Sequence, residues 1–112
     1  MVDTETFKSM ALSFPGTVDV PHFDRTAFRT KARIFTTLHT ALQQANLKLT
    51  IIDQSVFTAI DPAIIYPLNN KWGKQGWTCV ELKKVRKTIL KDALSKAYKL
   101  AAPTEVIKKQ KQ

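Results

Sequence analysis

A lysine beside a tryptophan can hold a phosphate while the ring stacks on or wedges against a base, and Lys71-Trp72-Gly73-Lys74-Gln75-Gly76-Trp77-Thr78 carries two of each. A plainer account competes with this one. Gly73 and Gly76 suit a tight or bulged hairpin, and tryptophans beside such turns more often cover the rim of a core than stack on a ligand. Lys71 and Lys74 at the tip are therefore stronger candidates than either ring. Two further cationic groups have the types and spacing to track phosphates. One is Arg29, Lys31 and Arg33, with Lys48 on the same expected sheet face. The other is Lys84, Lys87 and Lys91. A different chemistry is open to His22, Phe23, Trp72 and Trp77, which could line an aromatic groove for a peptide or a metabolite.

Other constellations are missing. His22 and His39 have no Cys, Asp or Glu at a recognisable metal-ligand spacing, so no metal is expected. Cys79 stands between Thr78 and Val80 in an expected strand, which predicts a packed and inert thiol rather than a nucleophile. The three glycines form neither a nucleophile elbow nor a phosphate-cradling loop. No catalytic residue and no cofactor is assigned, and the expectation is a protein that is not an enzyme.

The charge balance favours the phosphate chemistry. Eighteen Lys and Arg face nine Asp and Glu, a net charge of +9 that attracts polyanions, DNA foremost. Excess lysine can also serve solubility alone. At 112 residues with 44% hydrophobic content, the chain suits a single folded domain. A single cysteine and a start without a secretory pattern point to the cytoplasm, and no stretch is long enough to span a membrane. A monomer is expected, with a homodimer as the alternative.

The elements that must position these residues follow from periodicity. Asp3 or Thr4 caps a helix through about Ser13, with Phe7, Met10 and Ala11 on one stripe, and Pro15-Gly16 breaks it. From Thr17 to Ile52 the period is two, giving three antiparallel strands and room for a shorter one near Val18 to Val20. This alternation turns Phe28, Ile34, Leu38, Leu47, Leu49 and Ile51 toward the helices. It turns Arg29, Arg33, Thr37, His39, Lys48 and Thr50 outward, while Phe35 falls awkwardly on the outward parity. A short helix from Asp53 ends before Pro62, and strands follow at 63–68 and 77–82, joined by the Trp-Gly loop. Ile89 to Ala101 carries a wide apolar face and stops at Pro103, with Lys84, Lys91 and Lys99 opposite. The fold class is thus α+β: two layers, about five antiparallel strands against an N-terminal, a short middle and a long C-terminal helix. The domain covers 1–103, and 104–112 form a polar basic tail that frays.

The order of Leu12-Ser13-Phe14-Pro15-Gly16, Pro21-His22-Phe23, Trp72-Gly73, Gly76-Trp77-Thr78 and Ala97-Tyr98-Lys99-Leu100-Ala101-Ala102-Pro103 resembles the MmcQ/YjbR-like family over residues 4–103. The resemblance implies a small bacterial α+β domain with an antiparallel sheet and helices on one side, often described as a double-wing DNA-binding fold. It brings no catalytic residues with it, and a fold does not by itself transmit function. The combined expectation is a non-enzymatic domain that binds nucleic acid through Arg29, Lys31, Arg33, Lys48, Lys71, Lys74, Lys84, Lys87 and Lys91 with low sequence specificity. The alternative is a protein-interaction or small-ligand module using the aromatic groove.

Overall fold

Polar side chains of Asp3, Thr50 and Asn70 decide where three of the helices start. In the computed structural model, which describes residues 1–102, the Asp3 carboxylate accepts the Thr6 N–H at 2.7 Å and starts α1 (Thr4–Leu12). That hydrogen bond holds the Asp3 carboxyl below its ordinary pKa. The tail expected at 104–112 and the Pro103 stop lie outside the described residues. The chain continues through β1 (Val18–His22), β2 (Arg25–Arg29), β3 (Ile34–His39), β4 (Gln44–Lys48), α2 (Ile51–Ile60), β5 (Ile65–Pro67), α3 (Lys71–Lys74), β6 (Trp77–Glu81) and α4 (Lys87–Ala101).

The strands form one sheet in the order β1-β2-β3-β4-β6-β5, with every neighbouring pair antiparallel. The two-layer α+β architecture agrees with the sequence reading, while the strand count rises from about five to six. The sixth is β1, where the sequence left room for a shorter strand near Val18 to Val20, and it pairs along all of β2, from Val18 opposite Arg29 to His22 opposite Arg25.

Three local expectations are corrected. The first concerns Phe35. Phe28 pairs with Thr36 but Arg29 pairs with Ile34, so Phe35 is the extra residue of a β-bulge. The bulge resets the alternation, and Phe35 is fully buried in the core while Ile34 joins the opposite face. The second concerns Thr50, which is no outward strand residue. Its hydroxyl accepts the Asp53 N–H at 3.0 Å and caps α2, leaving Ile51 exposed at the helix start instead of in the core. The third concerns the Trp-Gly stretch, which is no tight or bulged hairpin. The Asn70 side chain accepts the N–H groups of Trp72 at 2.9 Å and Gly73 at 3.4 Å, and residues 71–74 wind into α3.

The β2–β3 turn lacks glycine because a side chain replaces it. The buried Thr30 hydroxyl accepts the N–H groups of Ala32 at 3.1 Å and Arg33 at 3.3 Å, and it donates to Ala101 O at 3.0 Å. One hydroxyl thus closes the turn and ties it to the end of α4.

The core lies between one sheet face and the helices. Phe28, Leu38, Ala45, Leu47, Ile65 and Val80 meet Phe7 and Ala11 of α1, Phe57 of α2, and Leu90, Leu94, Ala97 and Tyr98 of α4. Phe7 meets Phe28 edge-on with centroids 5.8 Å apart, and Tyr98 stacks on Phe14 at 4.8 Å and meets Phe35 edge-on at 5.6 Å. Burial of each such ring stabilises the fold by about 1.5–3 kcal/mol. Among the described residues, no helix lies across the other sheet face, and only the short α3 borders it, through Trp72.

Candidate functional site

The strand register builds the open face row by row. Val20, Ala27, Thr37, Asn46, Cys79 and Tyr66 stand opposite one another across all six strands, forming a central row of small and polar side chains. Toward one end lie Arg29 opposite Ile34 and Lys48 opposite Trp77. Toward the other lie His22 opposite Arg25, His39 opposite Gln44, and Gln44 opposite Glu81.

A cavity of about 280 Å³ opens on this face, lined by His22, Arg25, Ile34, Thr37, Asn46, Leu68, Trp72 and Trp77. Its walls are largely apolar and its polar groups come from β1 to β4. Of the four aromatic-groove residues expected from sequence, His22, Trp72 and Trp77 line the cavity. Phe23 does not: it sits at the β1–β2 tip with φ 59° and is 96% exposed. Trp72 is 48% exposed, and the Lys71 ammonium lies 5.3 Å from its ring centroid.

Both glycines of the motif are explained by close approach rather than by ligand contact. A Cβ at position 73 would stand 1.8 Å from Leu68 O, and one at position 76 would stand 1.9 Å from Leu49 O. The Gln54 amide, buried beneath, donates to Gly73 O at 2.9 Å. The glycines let α3 dock against the sheet end, and this docking sets Trp72 at the cavity rim.

The cationic candidates separate into two groups. Arg29, Lys31, Arg33 and Lys48 belong to the same sheet end as Trp77, while Lys71 and Lys74 of α3 border a neighbouring hollow with Gln54, Leu68 and Asn70. Within this group the Arg29 guanidinium bends back to Thr30 O at 3.1 Å, and the Lys48 ammonium donates to Gln75 O, whereas Lys31, Arg33, Lys71 and Lys74 are exposed. Lys84, Lys87 and Lys91 are in the helical layer. Lys87 and Lys91 border a groove with Thr6, Ser9 and Met10 of α1, and Lys84 borders a hollow with Ile60 and Ile64.

A separate polar cluster occupies the far end of the open face. Tyr66 donates its hydroxyl proton to Glu81, Gln44 donates to the same carboxylate at 2.9 Å, and Cys79 Sγ lies 3.6 Å from the Tyr66 oxygen. The hydrogen bond to Glu81 raises the Tyr66 pKa, and burial raises that of the Cys79 thiol. A raised pKa leaves little thiolate near neutral pH, so Cys79 is a poor nucleophile. His39 pairs with Asp24 at 3.0 Å. Among the described residues, no group of three or more His, Cys, Asp or Glu is placed to hold a metal ion. No helix there is long and apolar enough to cross a membrane.

Arg25 and Asn46 were not among the sequence candidates. Arg25 shares the strand parity of Ala27 and Arg29, which marks it for the open face. Nothing local in the sequence shows that α3 walls in the space beside it.

Comparison with known proteins gives a coherent result. The YjbR family model matches residues 12–100. The crystal structure of Deinococcus radiodurans protein DR2400, whose domain is described as DUF419, is similar with a TM-score of 0.77 at 19% identity, over 89% of this chain and 78% of that one. A Pseudomonas syringae structural-genomics target is similar with a TM-score of 0.66 at 12% identity, over 89% of this chain and 99% of that one. At these identities the likeness speaks for the fold alone. Comparison with curated proteins gives no match.

Proposed function

The chain belongs to the YjbR family, and on that premise we propose that it is a non-enzymatic domain that binds single-stranded nucleic acid across the open face of its sheet. The observation that carries this reading is Trp72: a half-exposed indole at the mouth of a cavity, with the Lys71 ammonium against its ring. Stacking on such a ring is tolerant of base identity, and the cations beside it take the phosphates. Lys31, Arg33, Lys48, Lys71 and Lys74 provide the backbone path at the same end of the sheet, with Arg29 bracing the hairpin. A single strand suits the site better than a duplex because Trp72 and Trp77 line a cavity in the face, which an unpaired base can enter. Lys84, Lys87 and Lys91, in the helical layer, are left outside this path.

The cavity also supports a second reading, a small-molecule or peptide module that uses His22, Trp72 and Trp77 without nucleic acid. Salt separates the two. A labelled single-stranded oligonucleotide titrated at low and at physiological ionic strength should bind through several phosphates and weaken steeply as salt rises. Absence of binding at low salt would end the nucleic-acid reading.

A further inference from the structure

The cavity contains more hydrogen-bonding capacity than a sequence-tolerant stacking surface needs. Arg25 lines it, and among the described residues its guanidinium makes no hydrogen bond, with Nη1 turned away from solvent and the rest of the group left to face the space. Thr37 and Asn46 also line it, and among the described residues their side chains make no hydrogen bond. A guanidinium offers donors only, in a flat fork, whereas an amide and a hydroxyl both donate and accept. Leu68, Ile34, Trp72 and Trp77 complete the lining with apolar and aromatic surface. At about 280 Å³ the space is large enough to admit one nucleobase.

Building on the nucleic-acid reading above, we infer that the cavity takes one unstacked base of the strand and selects guanine. Guanine presents O6 and N7 as adjacent acceptors, the pair that a guanidinium fork meets with two parallel hydrogen bonds. Its other edge carries N–H donors, which suit the acceptor oxygens of Asn46 and Thr37. Adenine places an amino donor beside N7 and repels the fork. Thymine and uracil set an N–H beside the O4 acceptor. Cytosine has two adjacent acceptors on its unpaired edge, but it offers only its amino group as a donor where guanine offers both N1–H and an amino group. Low specificity along the strand and high specificity at one base are compatible, since the exposed lysines contact only phosphates.

The two tryptophans of the chain, Trp72 and Trp77, both line the cavity and report on it directly. Their fluorescence is followed while the protein is titrated with a thymidine decamer and with the same decamer carrying one central guanine, adenine or cytosine. The guanine-containing strand should bind about tenfold more tightly than the others, the discrimination expected of one bidentate base contact. Arg25→Lys keeps the charge and loses the fork, so it should bring all four strands within about twofold while leaving the salt dependence unchanged. Asn46→Ala should narrow the preference in the same direction, and it provides an independent readout should the Arg25 variant fold poorly. Equal binding of the four strands by the native protein, a preference for cytosine, or full guanine preference in Arg25→Lys would each overturn the inference. Guanosine monophosphate alone separates the two levels. Preferential binding of this nucleotide with no strand binding removes the strand reading and keeps the cavity assignment. Strand binding without guanine preference does the reverse.

Discussion

The two faces of one sheet treat their polar groups differently. On the helix-covered side, Thr36 donates to Asn46 O at 2.7 Å, Thr78 to Gly76 O at 2.9 Å and Tyr98 to Pro15 O at 2.7 Å, and Gln54 reaches Gly73 O, Trp77 O and Thr78 Oγ1. On the open side the Glu81 cluster is satisfied, but among the described residues the Arg25 Nη1 is buried without a partner, and the Thr37 and Asn46 side chains make no hydrogen bond. Two other buried orphans, the hydroxyls of Thr17 and Thr58, lie outside the strands. A hydroxyl left unpaired is a small loss, whereas a shielded guanidinium N–H is a larger one. Folds satisfy most buried donors, so under the proposed function the unpaired guanidinium at the centre of the open face is read as a group kept for binding.

The largest effect should come from breaking the covered face. Phe35→Ala removes a fully buried ring from the bulge that turns it inward, where it packs on Phe14 and Tyr98. A loss of about 3–5 kcal/mol is expected, read from the midpoint of urea unfolding. A loss below about 1 kcal/mol would mean that the bulge does not anchor the core. Trp72→Ala is the matching test on the open face. With half its surface already in water, its removal should cost about 1 kcal/mol or less of stability, yet it should weaken single-strand binding by about 1–3 kcal/mol. If Trp72→Ala instead costs several kcal/mol of stability and leaves the binding of the folded protein unchanged, the two faces have been assigned the wrong way round.

This asymmetry was only partly legible in the sequence. Strict alternation in Leu47 and Leu49, and the apolar stripe from Leu90 to Ala101, placed the sheet and its main helix because those residues obey a single period from end to end. Phe35 broke the period, and its sequence gives no sign of a bulge: the extra residue is defined by which partners Phe28 and Arg29 take on β3. The Trp-Gly stretch misled for a related reason. Its glycines are required by Leu68 O and Leu49 O, carbonyls brought near only by the tertiary fold, and the Asn70 cap that winds α3 competes locally with a hairpin. The basic residues were identifiable by type, but their division between the Trp72 end of the sheet and the helical layer depends on the sheet order. Arg25 was legible as an open-face residue by parity, but not as a cavity wall.

Smaller effects sharpen the comparison within the cations. Lys71→Ala should reduce the slope of log affinity against log salt by about one phosphate contact, while Lys87→Ala, in the helical layer, should leave it unchanged. Salt-dependent binding measured side by side for the two variants checks this. An equal drop in both would place the strand around the helical layer as well, contrary to an open-face path.

The smallest effect has an unusual sign. Arg25→Met retains most of the apolar stem and deletes the guanidinium, including the Nη1 that has no partner among the described residues. At a position selected only for folding, loss of a polar group should destabilise or do nothing. Here the deleted group is a buried donor whose desolvation is uncompensated, so the variant should gain up to about 1 kcal/mol in unfolding free energy. The same change should abolish discrimination among bases at the cavity. Stability rising as selectivity falls is the signature of a group retained for binding at a cost to the fold. A clear loss of stability would instead identify Arg25 as part of the framework, since it would mean that its guanidinium is already satisfied in solution and that the open face is as complete as the covered one.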